Sequence, residues 1–204
     1  MRVRRLAMIL SGLEQLQTQS AELEQYSTDG NLAARWLNDI SSFGDLREEC
    51  TVADLGAGNG ILGLGALALG AERSILIDAD QAACDTAQYN AEKMGFADSA
   101  EVIQASIGTD SIELDSANVV ISNPPWGRQS PRADRPFLDA ILSARVPSHL
   151  MHSAEASHIE PAFKEQGWSV ERYGEADFAL PAAYSHHSRE RGKTRAAFWR
   201  LIPP

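Results

Sequence analysis

The sequence predicts an α/β fold in which a mostly parallel, seven-stranded sheet carries helices on both faces. Short apolar runs alternate with stretches of helical periodicity from residue 51 onward, as in strands joined by helical crossovers. A glycine-rich break follows the first run and a double proline follows the fourth. Because such sheets bind ligands at the carboxyl ends of their strands, we expect the functional residues at that edge.

Length and composition limit the protein's class. The 204 residues suit one domain, for which we predict a helical extension over 1–44 and a sheet-bearing domain over 45–204. The net charge of -10 argues against broad, nonspecific attraction to nucleic acid. No apolar run is long enough to cross a bilayer, so we expect a soluble, cytoplasmic protein. Cys50 and Cys84 are too few for a disulfide framework or a zinc knuckle, and we predict no metal site.

Two amphipathic helices are predicted ahead of the sheet, over residues 2–24 and 31–40. The polar segment 23–30 between them, taken alone, is best interpreted as a loop in which Asp29 or Asn31 caps the second helix. After the first strand, which begins at Thr51, we predict strands at 74–77, 100–105, 117–121, 146–151, 168–172 and 196–202. The predicted helices span 62–69, 81–94, 136–144 and 154–166, and a loop spans 178–195.

The first strand leads into a glycine loop, Asp54 to Gly60 (DLGAGNG). Glycines such as Gly56 and Gly58 let the backbone approach a ligand closely beside a helix N-terminus. The strand before and the helix after supply the context that makes this loop informative. Its spacing differs from the dinucleotide fingerprint, and Asp54 would repel a pyrophosphate. The same carboxylate favours a cationic group such as that of S-adenosylmethionine.

The next two strands also end in polar residues. Asp78 closes the second strand, where an acid can accept both ribose hydroxyls of a nucleoside cofactor. Asp80 could do the same or could only cap the following helix. Of the two, Asp78 is closer to the strand and is the preferred ribose ligand. Ser106 follows the third strand and is placed to touch the cofactor's adenine.

The fourth strand ends in Asn123, Pro124, Pro125 and Trp126. Proline ends the strand and holds the preceding residue extended. The Asn123 side-chain oxygen and the Pro124 carbonyl could then accept both N–H groups of an exocyclic amine, freeing its lone pair for an electrophile. Trp126 could offer a face for a base to stack on. A plain strand-to-loop turn is the alternative for this tetrapeptide alone. The convergence of polar residues on four strand ends favours the functional interpretation.

A basic stretch near the chain's end is a candidate contact for a polyanion. Positive charge gathers within a few residues, at Arg189, Arg191, Lys193 and Arg195, with only Glu190 opposing it. His186 and His187 could add charge as pH falls below about 6.5. A solvated surface run is the alternative. A metal-binding histidine pair is a second alternative, but no cysteine or carboxylate cluster stands beside it.

The glycine loop together with Asn123 to Trp126 resembles the Rossmann-like, class I S-adenosylmethionine-dependent amino-methyltransferases. That pair of motifs occurs in adenine-N6 methyltransferases of DNA and RNA and in enzymes that methylate a glutamine of release factors.

Further stretches narrow the resemblance. LEQYST at 23–28, AAR at 33–35, FL at 137–138, HS at 152–153 and LPAAYSHH at 180–187 are similar to the methyltransferase-like protein 5 family, in its archaeal-type form. Two departures stand out, because that family usually has Phe where Trp126 stands and often Asp where Ser106 stands.

The resemblance implies methylation of the N6 of an adenosine in small-subunit ribosomal RNA, and a small zinc-containing activator protein as partner. By position it implies cofactor contacts at Gln25, Thr28, Asp54, Gly56, Asp78 and Ser106, to which the motifs add Gly58 and Asn123. A protein-glutamine or DNA-adenine methyltransferase, or a catalytically silent RNA-binding scaffold, stays open as an alternative.

Overall fold

The computed structural model describes residues 1–17, 28–127, 130–179 and 193–204. Within these residues the strands are β1 Thr51–Leu55, β2 Arg73–Asp78, β3 Ala100–Gln104, β4 Val119–Ser122, β5 Ser148–Ser153, β6 Ser169–Ala179 and β7 Lys193–Ile202. The helices are α1 Val3–Leu10, α2 Gly30–Ser42, α3 Ile61–Leu69, α4 Gln81–Met94, α5 Arg135–Ala144 and α6 Ile159–Lys164.

The described strands form one seven-stranded sheet in the order β3-β2-β1-β4-β5-β7-β6. The first five are parallel, and β7 is antiparallel to both β5 and β6. The order reverses between β1 and β4, so the carboxyl ends of these two strands flank the point where such sheets bind ligands. The predicted fold class is confirmed.

Side-chain alternation along the strands builds a hydrophobic core on each face of the sheet. Val52 and Leu76 join the cluster formed with α1, α2 and α3. Ala53 and Ile75, the chain neighbours of Val52 and Leu76, point to the other face and join the cluster formed with α5 and α6. Because α1 and α2 share a cluster with α3, they pack on the sheet domain; a domain boundary at residue 44 stays a prediction.

The first helix is shorter than its periodicity predicted. We expected a helix over 2–24, but α1 ends at Leu10 and a turn follows at Ser11. A Cβ at Gly30 would lie 2.4 Å from Ser11 Oγ, so the start of α2 is packed against this turn. Beyond it, the Glu14 N–H donates to Asn90 Oδ1 of α4 at 2.8 Å. These tertiary contacts turn the chain away from the helical path, and residues 18–27 lie outside the described residues.

Three further boundaries also differ from the predictions. The helix expected over 154–166 is confined to α6, because Pro161 is tolerated only in a helix's first turn. Strand β6, expected to end at Arg172, continues to Ala179 because β7 pairs with it over this length, across a bulge between Arg172 and Gly174. The loop expected over 178–195 therefore starts later and ends earlier. In the part of the chain that the structure describes, no helix has the length and apolarity to cross a membrane.

Candidate active site

The glycine loop after β1 presents its backbone to open space at Gly58. Gly56, Gly58 and Gly60 all have positive φ, of 75°, 57° and 82°, a conformation that favours glycine. A Cβ added at Gly58 would meet no atom within 4 Å. Gly60 stands at the N-terminus of α3. The loop thus combines open space at Gly58 with a helix N-terminus, which fits the close approach of a nucleoside cofactor.

Asp54 lies beneath this loop and not on its surface. Its side chain is fully buried, and Oδ2 accepts the N–H of Gly63 in the first turn of α3 at 2.8 Å. Oδ1 is buried without a hydrogen-bond partner. Burial raises the pKa of Asp54 to about 7. Asp54 therefore fixes α3 against the sheet, and a direct contact with the cofactor stays a prediction.

Asp78 and Asp80 have separate roles in the structure. Asp78 accepts the Gly58 N–H through Oδ2 at 2.8 Å and the Asp80 N–H through Oδ1 at 3.0 Å. Burial raises the pKa of Asp78 in spite of these bonds. Asp80 accepts the Ala82 N–H at 3.0 Å and caps α4, which confirms the cap interpretation. Asp78 is thus the carboxylate held against the glycine loop.

Asn123 follows β4 directly, and its amide is held from both sides. Oδ1 accepts the indole N–H of Trp126 at 3.1 Å, and Nδ2 donates to Thr28 Oγ1 at 3.3 Å. Thr28 is itself buried. These two contacts fix which way the amide oxygen points, and an amide oxygen has a second lone pair for another donor.

Trp126 does not offer the exposed stacking face that the sequence suggested. The residue is 7% exposed, and its ring packs against His152 and Phe178, with centroids 5.8 and 4.8 Å away. After the two prolines the chain turns inward, so the indole fills the space between the ends of β5 and β6. Its position makes it the group that orients Asn123.

The structure brings most of the predicted cofactor residues to one edge of the sheet. The ends of β1, β2 and β4 are adjacent in register, with Leu55 opposite both Ile77 and Ser122. Ser106 follows β3 at the same edge, and its N–H donates to Asp110 Oδ2 at 2.8 Å. Several predicted residues lie outside the described residues: Gln25, His186, His187, Arg189, Arg191 and the side chain of Lys193.

Sequence reasoning missed a group of polar residues that lies behind Trp126. Asp134 and His158 meet His152, the residue on which Trp126 stacks. In the sequence, His152 stands out only as part of a family resemblance, and His158 carries no signal. These three residues come from separate segments, and no spacing motif connects them.

Comparison with known proteins identifies the family. A model of ribosomal protein L11 methyltransferase (PrmA) matches residues 28–124. An uncharacterized protein of Methanocaldococcus jannaschii is 34% identical over 196 residues, covering 91% of this chain and 87% of that one. The Danio rerio rRNA N(6)-adenosine-methyltransferase METTL5 is 27% identical, with full coverage of both chains. The chain belongs to the METTL5 family.

A solved structure described as a "putative RNA methyltransferase" from Pyrococcus horikoshii matches this METTL5-family chain with a TM-score of 0.87. It is 30% identical and the match covers 100% of this chain and 98% of that one. The protein is thus a class I methyltransferase, and S-adenosylmethionine is its cofactor. The open glycine loop and the Asp78 carboxylate fit that nucleoside.

Proposed function

We propose that this protein methylates the exocyclic N6 of an adenosine in RNA, with small-subunit ribosomal RNA as the substrate. The named activity of the METTL5 proteins of Danio rerio and Drosophila melanogaster supports this reaction, at 27% and 28% identity over nearly the whole chain. We also propose that the protein is an archaeal-type member of the family and works in the cytoplasm.

The observation that carries the proposal is the fixed amide of Asn123 beside the glycine loop. An adenine amine is a weak nucleophile because its lone pair is delocalised into the ring. Asn123 Oδ1 and the Pro124 carbonyl accept its two N–H groups, so that the lone pair turns out of the ring plane. The bound cofactor supplies the electrophilic methyl group. Such catalysis depends on position and electrostatics and needs no strong base.

Preorganisation comes from the residues around Asn123. Trp126 and Thr28 hold the amide before the base arrives, so little reorganisation is needed when it binds. Pro124 is buried, which keeps its carbonyl in one place, and Pro125 limits the backbone after it. The target base enters beside this segment, and Trp126 acts through Asn123 without stacking on the base.

The cofactor lies over the glycine loop and Asp78, which are hydrogen-bonded to each other. Asp78 binds the ribose hydroxyls, the loop backbone approaches the cofactor, and Ser106 lies toward the adenine. The full set we propose is Gln25, Thr28, Asp54, Gly56, Gly58, Asp78, Ser106 and Asn123. We also propose RNA contacts from the basic residues His186, His187, Arg189, Arg191 and Lys193, and a small zinc-containing activator protein as partner.

The test of the mechanism is Asn123→Ala. Removing one preorganised polar group at a reacting centre costs about 10²–10³ in rate. Cofactor affinity measured by calorimetry should fall only slightly, because Asn123 is one of eight proposed cofactor contacts and its main role is to accept the amine. Asn118→Ala is the matched control, because Asn118 lies at the other end of β4 and accepts the Thr51 N–H there. Normal turnover in Asn123→Ala, measured as N6-methyladenosine formed in ribosomal RNA, would refute the mechanism.

The substrate is tested in cells. Mass spectrometry of ribosomal RNA nucleosides, with and without this gene, should show loss of one N6-methyladenosine from the small subunit. An unchanged rRNA profile together with lost methylation of DNA adenine or of a protein glutamine would select one of those substrates. A wild-type chain that binds no cofactor would indicate a silent scaffold.

A further inference from the structure

A cluster of two histidines and one aspartate lies behind the catalytic segment. Asp134 precedes α5, His152 lies near the end of β5, and His158 precedes α6. The Nε2 atoms of both histidines approach the same carboxylate oxygen, Asp134 Oδ2, at 3.2 Å from His152 and 2.5 Å from His158. One ligand atom from each residue lies within 4.8 Å of the others.

Hydrogen bonding within the cluster leaves His152 unsatisfied. Its side chain is 2% exposed, and neither ring nitrogen has an aligned hydrogen-bond partner, even though Nε2 is close to Asp134. A neutral imidazole carries one N–H and one acceptor, so at least one buried polar group pays a desolvation cost. Such an orphan in a native fold calls for a specific explanation, and a bound ion is one.

We propose that Asp134, His152 and His158 bind one divalent transition metal ion, with Zn²⁺ the best fit. Two imidazole nitrogens and one carboxylate oxygen are ligands typical of zinc, and three protein ligands leave a fourth position for water. Asp134 and His152 are buried, which makes the site rigid. His158 is half exposed, with 53% of its side chain accessible, so an ion can reach the cluster from solvent.

The ion would have a structural role one layer away from the chemistry. It would join the segments before α5, at the end of β5 and before α6, which are separate in sequence. The His152 ring stacks on Trp126, and Trp126 donates to Asn123 Oδ1. The metal would therefore hold the ring that supports the catalytic segment, and the three ligands are positioning residues. This site is on the chain itself and does not depend on the proposed substrate.

Metal binding is measured on the purified full chain after chelator treatment, by titration with Zn²⁺ in a calorimeter and with Co²⁺ followed by visible absorption. We expect one ion per chain, the absorption of low-symmetry Co²⁺, and a higher melting temperature with Zn²⁺. His158→Ala should weaken binding at least tenfold, because it removes one of three ligands from an exposed position with no cap hydrogen bond.

Two variants make the outcome decisive. His158→Cys keeps a ligand in place and should add a thiolate-to-Co²⁺ absorption band, which a merely destabilised protein would not show. The double variant His186→Ala/His187→Ala removes two histidines that are not part of the cluster, and it should bind metal as the wild type does. Absence of metal binding by the wild-type chain would overturn the proposal and leave a plain hydrogen-bonded cluster. So would wild-type affinity in a folded His158→Ala variant.

Discussion

Two aspartates two residues apart show what the sequence could and could not decide at the scale of single residues. The sequence placed both at the end of β2 and favoured Asp78 for the ribose. The structure separates them by partner: Asp78 bonds to the glycine loop, and Asp80 bonds to the first turn of α4. The role of each aspartate depends on which backbone N–H groups lie nearby. The Gly58 N–H reaches Asp78 through a tertiary contact that the local sequence does not encode.

Single substitutions of Asp78 and Asp80 test which of the two aspartates binds the cofactor. Asp78→Ala should weaken S-adenosylmethionine binding by about 1.5–3 kcal/mol, the usual range for a hydrogen bond to a charged group. Asp80→Ala should leave that affinity unchanged and lower the free energy of unfolding by about 1 kcal/mol through loss of the helix cap. Calorimetry and chemical denaturation measure the two effects. The reverse pattern would mean that Asp80 is the ribose ligand.

Trp126 marks a limit of reasoning from residue type. The sequence predicted that the fourth strand ends at Asn123 and that Trp126 lies close to it. The prediction of a free stacking face failed because the space that receives the indole is built by His152 and Phe178, from strands later in the chain. A motif gives the residues of a site, whereas their partners come from the packing of distant elements.

At the scale of elements, a buried hydrogen-bond network joins α2 to the antiparallel half of the sheet. The Trp36 N–H donates to the Tyr173 hydroxyl at 2.7 Å, and that hydroxyl lies 3.2 Å from His149 Nδ1. His149 Nε2 lies 2.9 Å from Asp45 Oδ2, and Arg200 donates to both oxygens of Asp45. Burial lowers the pKa of His149, so a neutral ring that accepts from Tyr173 and donates to Asp45 completes the network.

This network predicts how stability depends on pH. Burial alone would raise the pKa of Asp45, but hydrogen bonds from His149 and Arg200 outweigh it and lower the pKa to about 2. Since the unfolded value is 3.8, the stabilisation is fully present above that pH and is lost as pH falls toward 2. The shift corresponds to about 2 kcal/mol.

Asp45→Asn should therefore lower the free energy of unfolding at pH 7 and flatten its decline between pH 4 and about 2. Urea denaturation across this range measures both effects. Asp139→Asn is the control, because Asp139 forms an exposed ion pair with Arg135 in α5 and should change the curve little. An unaltered acid limb in Asp45→Asn would remove Asp45 as its source.

Elements with strong local signals were predicted well, and those shaped by distant contacts were not. Helix α4 runs from Gln81 to Met94 as expected, between an Asp cap and a glycine. The ends of α1 and β6 were missed because the Ser11 turn depends on Gly30 and the length of β6 depends on β7. The network around Asp45 could not be seen in the sequence, since Asp45 and its partner Arg200 are 155 residues apart.

At the scale of the whole molecule, the sheet has two edges among the described strands, β3 and β6. The Ser99 carbonyl and the Ala105 N–H bond to β2, so backbone alternation directs the N–H groups of Val102 and Gln104 outward. An edge of this kind can pair with a strand of another protein. The proposed activator could use the edge formed by β3.

Val102→Pro tests that docking mode. Proline is tolerated on an edge strand where its missing N–H would face outward, so the isolated chain should still fold. We expect the activator protein to raise the melting temperature of the wild-type chain and to have a much smaller effect on Val102→Pro. Glu101→Ala, a side-chain change in the same strand, should behave as the wild type. Full stabilisation of Val102→Pro would place the partner elsewhere.

RNA binding by an acidic chain needs a local positive site, and the fold indicates where one can form. Strands β6 and β7 pair up to Ala179 and Lys193, so the segment 180–192 leaves and rejoins the sheet at one place. Phe178, one residue before the end of β6, packs against Trp126 of the catalytic segment. The basic residues Arg189 and Arg191 therefore belong to a segment whose ends are fixed beside the proposed substrate site, although they lie outside the described residues.

Replacing Arg189, Arg191 and Lys193 together with Ala should weaken RNA binding and flatten its dependence on salt by about one unit of slope per lost phosphate contact. Such contacts position the RNA without reading its sequence. Cofactor affinity should stay the same, because these three residues are not among the proposed cofactor contacts. The charge-matched control replaces Arg2, Arg4 and Arg5, which are exposed at the start of the chain, and alters net charge equally. An equal loss of slope in both variants would mean that overall charge, and not this segment, sets the affinity. A loss confined to the first variant would assign the phosphate contacts to Arg189, Arg191 and Lys193.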